Sequence, residues 1–350
     1  MNKNARTLVS IVSEQPIPNI LFIKSIQNTH NVGRYIFITT EQMEQKNEKG
    51  RIMQMCRIEE KDTTAIKVPY DEFTEIKSIV TEKIRNLAKT QQQSHFLVNL
   101  TGGTKMMSLA VYDVFKELSS KNTLRAEYFY IPINKNYIEN VETTEKTPIK
   151  YSLRVKEYLF AYGYIAESVK NMHTAYSESQ TIKLWQRYLR LLEEKNTRLR
   201  INGELSKGFW FEQYIYYLLR KTLDKADTKY DIQLNLKVYG HETVSQSTEN
   251  EIDIALVANN RLILFETKKT RWNSLEDLYK FAAKIKNMGI ASRGVLVTTG
   301  KNAVVPVPDG YATRMELLDR AKLLGISIIT LSELTRRDKF ERKMLQITLT

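Results

Sequence analysis

The chain has 350 residues, with 53 lysines and arginines against 40 aspartates and glutamates, a formal net charge of +13. Hydrophobic residues make up 42% and charged residues 27%, which is enough apolar material for real cores and excludes wholesale disorder; the length suits two domains. One cysteine, Cys56, excludes a disulfide framework and a cysteine-based zinc cluster, and with no signal-peptide pattern points to a reducing cytoplasm; no apolar stretch of ~20 residues is present to span a membrane.

The first part alternates short apolar runs with helical patterns. Thr7–Val12 reads as a strand and Ile17–Ile26 as a helix, with Pro16 and Pro18 at its start, where a missing amide costs little. Tyr35–Thr40 is a second strand. Tyr70–Lys89 carries Phe73, Ile76, Ile79, Val80, Ile84 and Leu87 at helical spacing. Phe96–Leu100 is a buried strand that runs through Thr101-Gly-Gly-Thr104 into the apolar helix Lys105–Leu118, and Ala126–Ile131 is a further strand. Strands alternating with helices predict an α/β domain over residues 1–150, with a parallel, Rossmann-like sheet that binds ligands at the carboxyl ends of its strands.

Residues 133–155 are polar and read as a hairpin or loop. A connecting helical segment is expected over 151–202, helical from about Ser152 to Leu199. Its apolar face holds Trp185, Tyr188, Leu189, Leu191 and Leu192, and its basic face Lys183, Arg187, Arg190, Lys195, Arg198 and Arg200. From 203 to 350 the pattern changes to a second, mixed α/β domain. A helix at Gly208–Leu223 precedes strands at Asp231–Tyr239, Ile252–Val257 and Arg261–Glu266, with Asn259-Asn260 as a turn between the last two. A helix at Ser274–Met288, a strand at Gly294–Thr299, a helix at Thr313–Leu324 and a strand at Ser327–Thr330 complete it, with Gly325 as a left-handed cap. The basic excess is spread over the whole chain and favours polyanionic partners, nucleic acid first.

Val98-Asn-Leu-Thr-Gly-Gly-Thr-Lys105 is the first chemical constellation. Gly102 and Gly103 permit a tight turn and close backbone approach to a ligand. The helix that follows points free N–H groups at the loop, which makes an anion site, and Thr101, Thr104 and Lys105 add donors. The spacing is neither a Walker loop nor G-x-G-x-x-G, so a glycine turn serving only the fold stands as the alternative. Ser13-Glu14-Gln15 and Thr39-Thr40-Glu41 follow neighbouring strands and are expected on the same sheet edge. Glu14 and Glu41 suit ribose hydroxyls or amino groups, or are solvated helix caps.

The second constellation is Asn250-Glu-Ile-Asp253 followed by Phe265-Glu266-Thr-Lys268. On paired strands Asp253 and Glu266 can approach, and Glu266 and Lys268, two apart, share a face. Two carboxylates bind a hard divalent cation, the lysine can orient or deprotonate water, Glu212 can supply a third carboxylate and Lys280 can meet a phosphate. This predicts a metal-dependent nuclease centre; surface acids on an edge hairpin are the plainer reading. The histidines (His30, His95, His173, His241) lack ligand spacing, Cys56 lacks a partner, and Tyr214, Tyr216 and Tyr217 suit a helix core stripe. Lys268, Lys269 and Arg271 with Trp272 could touch a nucleic acid strand by charge and stacking, while Lys269 and Arg271 read equally as a solvated strand end.

Together these segments resemble a known pairing. Val9-Ser-Ile-Val-Ser-Glu-Gln-Pro-Ile-Pro-Asn19, Thr40-Glu-Gln-Met-Glu-Gln-Lys46 and Val98–Ser108 resemble the CRISPR-associated Rossmann fold (CARF) sensor domain. Gly208-Phe-Trp-Phe-Glu212, Asn250–Asp253 and Glu266-Thr-Lys268 resemble a PD-(D/E)xK, restriction-endonuclease-like nuclease domain, with Ile252 where that motif usually has proline. The order matches the ancillary nucleases of type III CRISPR antiviral defence. The resemblance implies a homodimer that binds one cyclic oligoadenylate, usually cyclic tetra-adenylate, and cuts DNA, RNA or both with Mg2+ or Mn2+. It implies ligand contacts at Ser13, Gln15, Thr40, Thr101, Gly102, Gly103, Thr104 and Lys105. It also implies catalysis by Glu212, Asp253, Glu266 and Lys268, with the metal on Asp253, Glu266 and Glu212.

Two other readings stay open on sequence. One is a restriction-like or repair endonuclease that needs no ligand. The other is a nucleotide-responsive regulator that binds nucleic acid and is no enzyme. Slow degradation of the ligand by the sensor itself is undecided.

Overall fold

The computed structural model describes residues 5–90, 95–168, 175–193, 203–240, 250–269, 275–299 and 318–349. They form two compact units, Met1–Tyr151 with Phe160–Gly163, and Ser152–Leu159 with Tyr164–Thr350.

The first unit runs β1 (Arg6–Ile11), α1 (Pro16–Gln27), β2 (Val32–Thr39), α2 (Glu41–Gln45), α3 (Glu48–Cys56), β3 (Thr63–Lys67), α4 (Phe73–Thr90), β4 (His95–Asn99), α5 (Lys105–Ser120), β5 (Arg125–Tyr130), β6 (Tyr137–Asn140) and β7 (Lys146–Pro148). The sheet order is β3-β2-β1-β4-β5-β6-β7. The pairs from β3 to β5 are parallel, and β6 and β7 add an antiparallel hairpin. β1 and β4 are almost wholly buried, as strands covered on both faces must be. They are neighbours in the sheet but far apart in sequence, so the strand order reverses between them. A crevice opens at the carboxyl ends of strands at such a point.

α6 (Val155–Ala161) follows, of which the residues up to Leu159 fall in the second unit; that unit continues with β8 (Tyr164–Ser168), α7 (Glu178–Glu193), α8 (Phe209–Lys225), β9 (Tyr230–Gly240), β10 (Asn250–Ala258), β11 (Arg261–Lys268), α9 (Leu275–Asn287) and β12 (Arg293–Thr298). A helix over 318–323 (α10), β13 (Ile326–Ile329), α11 (Leu331–Leu334) and α12 (Arg337–Leu349) follow. The sheet order is β13-β12-β11-β10-β9-β8, antiparallel from β8 to β11 and parallel from β11 to β13. Trp185 and Tyr188 of α7, Trp210, Phe211 and Ile215 of α8, and Phe340 and Met344 of α12 build one core with Leu234, Ile254, Leu256 and Phe265 of the sheet. On α9, Leu278, Phe281 and Ile285 are buried, and a Cβ at Gly294 of β12 would come within 2.2 Å of the Ile285 Cδ1.

Several elements depart from the sequence reading. The stretch expected to be helical from Ser152 contains β8, an edge strand with no fully buried residue, so no apolar run announces it. Its α7 is buried in the core of the second unit through Trp185 and Tyr188 rather than standing as a free connector. α2, α3 and β3 were not expected; β3 buries only Ile66. α11 and α12 were also missed, since their polar faces dilute the apolar spacing. The Thr313–Leu324 helix lies partly outside the described residues; 318–323 are helical. No helix among the described residues is long and apolar enough to cross a membrane.

Candidate functional site

The chemistry of the second unit gathers at the open end of the β10–β11 hairpin. Asn259 and Asn260 both take left-handed backbone, φ 50° and 59°, as the tight hairpin turn requires. The turn fixes the register, which runs from Ala258 opposite Arg261 to Ile254 opposite Phe265. One step further in the same register Asp253 faces Glu266. There the carboxylate replaces the backbone ladder: Asp253 Oδ2 accepts from the Thr267 N–H at 2.7 Å and from its Oγ1 at 3.1 Å. Glu266 Oε1 and Lys268 Nζ are 2.7 Å apart, as two residues on one strand face should be. Glu212 comes from α8, whose Trp210, Phe211 and Ile215 lock the helix onto the sheet.

The electrostatics show that these groups share one site. Burial, then the charge of Asp253, pushes the Glu212 carboxyl up to about 7; Glu266 adds to the rise, while Asn235 and Lys268 oppose it. Burial, then Glu266, pushes Asp253 up to about 6 against the hydrogen bonds from Thr267 and the charge of Lys268. Burial works to lower the pKa of Lys268, but the bond to Glu266 and the charges of Glu266, Asp253 and Asp277 outweigh it and hold it above the usual lysine value. Lys268 is therefore a cation near neutral pH, suited to stabilising phosphate charge rather than to taking a proton. Crowded carboxylates with raised pKa values are what a catalytic centre needs.

Among the described residues no three aspartate, glutamate, histidine or cysteine side chains form a ready-made metal cage. The donors still suit a hard divalent cation. Asp253 and Glu266 offer oxygen, repel one another, and a cation between them would relieve that repulsion.

One neighbour escaped the sequence reading and another was misread. Asn235 of β9 has φ 50° inside a strand and interrupts the β9–β10 ladder opposite Asp253, between the pairs Ile252–Leu236 and Ile254–Leu234. Its only sequence signal is a residue type that tolerates left-handed backbone. Lys269 was read as a possible nucleic-acid contact or a solvated strand end. It is buried, with its ammonium on the carbonyls of Leu205 and Lys207. Lys280 is exposed on α9 and paired with Glu276 at 2.7 Å. Arg271, Trp272, His173 and His241 lie outside the described residues. Cys56 is a core thiol, pushed up to about 12 by burial. Tyr214 is core, stacked on Trp185.

In the first unit the loops after β1 and β4 meet at the sheet's reversal point. Gly102 has φ 116°, and a Cβ there would lie 2.5 Å from the Ile11 carbonyl oxygen and 3.2 Å from Ser13 Oγ. Gly103 has φ 65°, and its Cβ would lie 2.5 Å from Ile11 Cγ2. Glycine is therefore obligatory where the two loops cross. Beneath them, buried Ser10, Asn19 and Asn99 bond to one another, and the Asn99 Oδ1 accepts from the Thr101 N–H at 3.0 Å.

The expected ligand contacts are placed unequally. Ser13 and Gln15 are half-buried in the loop after β1, and Lys105 is exposed at the start of α5. Thr101 is buried, and its hydroxyl accepts from the Ile131 N–H at 2.7 Å. Thr40 and Thr104 accept from the N–H groups of Met43 and Met107 as N-caps of α2 and α5. Glu14 pairs with Lys46 and Glu41 with Lys67. Gln15 Oε1 accepts from the Tyr162 hydroxyl at 2.8 Å.

The Card1 CARF domain model matches residues 7–158, and the Card1-like endonuclease domain model matches residues 195–346. The chain belongs to the Card1 family. It accordingly joins a CARF domain with a mostly parallel sheet to an endonuclease domain with a mixed sheet, the plan of the cyclic-oligoadenylate-activated ancillary nucleases of CRISPR systems. An endonuclease domain hydrolyses phosphodiester bonds. Protein VC1899 from Vibrio cholerae is similar in fold, with TM-score 0.74, 18% identity and 98% of each chain covered. So is Can2 from Sulfobacillus thermosulfidooxidans in complex with cyclic tetra-adenylate, with TM-score 0.68, 20% identity and 99% of each chain covered. A type III CRISPR defence DNA nuclease activated by cyclic oligoadenylate aligns over 87% of this chain and 47% of its own, with TM-score 0.56 and 16% identity. No curated protein matches the chain by sequence.

Proposed function

We propose that this Card1-family chain is a metal-dependent nuclease switched on by cyclic tetra-adenylate, acting as a homodimer on DNA, RNA or both. The observation that carries the nuclease reading is the meeting of Glu212, Asp253, Glu266 and Lys268 in one field, with two carboxyls pushed toward neutrality. Asp253 and Glu266 would hold Mg2+ or Mn2+, with Glu212 as the third oxygen donor. When bound, the cation supplies charge for the phosphodiester and acidifies water.

The chain's own residues do the rest. Thr267 fixes one oxygen of Asp253 and so its orientation. Lys268, kept charged by Glu266, stabilises negative charge as the P–O bond breaks. Glu212, whose carboxyl is pushed up by burial and the charge of Asp253 in the metal-free chain, would complete the acidic set that faces the cation.

Three features support the sensor reading. The loops after β1 and β4 meet around Gly102 and Gly103, the free N–H end of α5 opens on them, and Can2, similar in fold, is described with cyclic tetra-adenylate. Exposed Tyr70, Met106 and Leu109 beside this loop form an apolar surface suited to a second copy, which would bring two crevices to one symmetric ligand. Activation requires that the ligand bind the cutting state better than the idle one.

The test is cleavage of supercoiled plasmid, single-stranded DNA and single-stranded RNA with Mn2+, with and without cyclic tetra-adenylate. Cutting only with the ligand is the expected result. Cutting regardless of ligand removes the switch, and no cutting in any lane overturns the nuclease reading.

A further inference from the structure

Lys269 follows the motif lysine directly, yet it faces inward. Its side chain is 8% exposed, its ammonium donates to the carbonyls of Leu205 and Lys207, and it lies 5.6 Å from the centre of the Trp210 ring. A buried ammonium is costly to keep, and no carboxylate among the described residues pairs with it. Those two carbonyls belong to the turn that starts α8. Gly208 caps the helix next, and its carbonyl accepts from the N–H groups of Phe211 at 2.9 Å and Glu212 at 3.4 Å. A cation at a helix start also opposes the helix dipole, so helix stability by itself does not explain it.

The other end of Lys269 is equally fixed. Its carbonyl accepts from the Tyr188 hydroxyl at 2.9 Å and from Thr299 Oγ1 at 2.6 Å, and Thr299 donates its own N–H to the Lys268 carbonyl. The residue thus ties the end of β11, which carries Glu266 and Lys268, to the start of α8, which carries Glu212.

We infer that Lys269 is a positioning residue that sets Glu212 against the Asp253–Glu266–Lys268 group, an inference that rests on the nuclease reading above. It touches no reacting atom. It pins a strand end to a helix start, already packed through one core, at the point nearest Glu212. Small displacements of such a group are expensive in rate.

The test uses the full-length protein with Mn2+ and cyclic tetra-adenylate in four forms: parent, K269M, E212Q and the double variant, with K269R alongside. K269M should lower kcat about 10- to 100-fold with KM little changed, as losses of supporting groups do. K269R, which keeps a charged donor, should recover most of the rate. In the E212Q background K269M should cost no more than about twofold, because residues acting through one another are not additive. A merely structural lysine would instead multiply its loss onto that of E212Q, and this result, or parental kcat in K269M, overturns the inference.

Hydrogen exchange of the 205–212 segment is read on the same proteins. It should speed up in K269M and not in E212Q; unchanged exchange in K269M also overturns the clamp. If K269M does not fold, judged by circular dichroism, K269Q takes its place in the same cycle. A parent that cuts no substrate removes the nuclease reading, while the exchange measurement still decides the clamp.

Discussion

Thr267 holds Asp253 by two hydrogen bonds to one oxygen, the backbone N–H at 2.7 Å and the side-chain hydroxyl at 3.1 Å to Oδ2. The residue between the motif glutamate and the motif lysine therefore orients the motif aspartate on the next strand. Replacing Thr267 by valine removes one bond and keeps the other, along with the shape. The expected result is a loss of about tenfold in cleavage rate with unchanged ligand binding, whereas D253N should abolish cutting. Parental rates in D253N would show that the site lies elsewhere.

Lys268 and Glu266 form a 2.7 Å ion pair, and each supports the other. E266A and K268A should each abolish cleavage while the affinity for cyclic tetra-adenylate, measured by calorimetry, stays at the parental value. Loss of ligand binding in either variant would mean a wider collapse of the fold.

Glu212 is held at about 7 against an ordinary 4.5, burial being the main cause. The folded chain thus keeps a proton that the unfolded chain has released. Stability contributed by this group is present at low pH and falls as pH rises from about 4.5 to about 7. Asp253 has the same sign. A shift of this size corresponds to about 3 kcal/mol. E212Q should therefore raise the melting temperature of the metal-free protein by a few degrees at pH 8 and have little effect at pH 5. A melting temperature that falls at pH 8 would contradict the assigned burial.

Gly102 cannot take a side chain without striking the Ile11 carbonyl oxygen at 2.5 Å, at a backbone φ of 116°. G102A should weaken cyclic tetra-adenylate binding by more than tenfold, since both strain and displacement fall on the crevice. As in the parent, no cleavage should appear without ligand. Parental affinity in G102A would place the ligand away from this loop.

The Tyr162 hydroxyl donates to Gln15 at 2.8 Å, and two residues later the chain enters β8 of the nuclease sheet. β8 pairs with β9, the strand that carries Asn235, and Ser168 stands opposite Leu236. Y162F should shift the ligand concentration that gives half-maximal cleavage upward by several-fold, with the maximal rate little changed. An unchanged dose response would exclude this bond from the signal.

Much of the fold was legible in the sequence because buried strands advertise themselves. Leu8, Val9 and Ile11 of β1, and Leu262 through Phe265 of β11, are apolar on both faces, and Asn259-Asn260 announces its own turn. β3 and β8 were not legible, because edge strands bury too little to leave an apolar run. That Asp253, Glu266 and Lys268 lie near one another was legible because strand periodicity and one hairpin turn determine it, whereas Glu212 is brought there by the packing of α8.

Residue types and spacing alone determined two α/β domains, a glycine loop between a strand and a helix, and an acidic pair with a lysine. The tertiary structure decided what each polar group does there. It made Thr101, Thr40 and Thr104 hydrogen-bond partners of their own backbone, and it turned Lys269 inward while Lys268, one residue earlier, stayed at the site. The physical reason is that successive residues at a strand end point to opposite sides. Which side is core and which is cleft depends on the helix packed there, α8, whose start lies some sixty residues earlier in the chain.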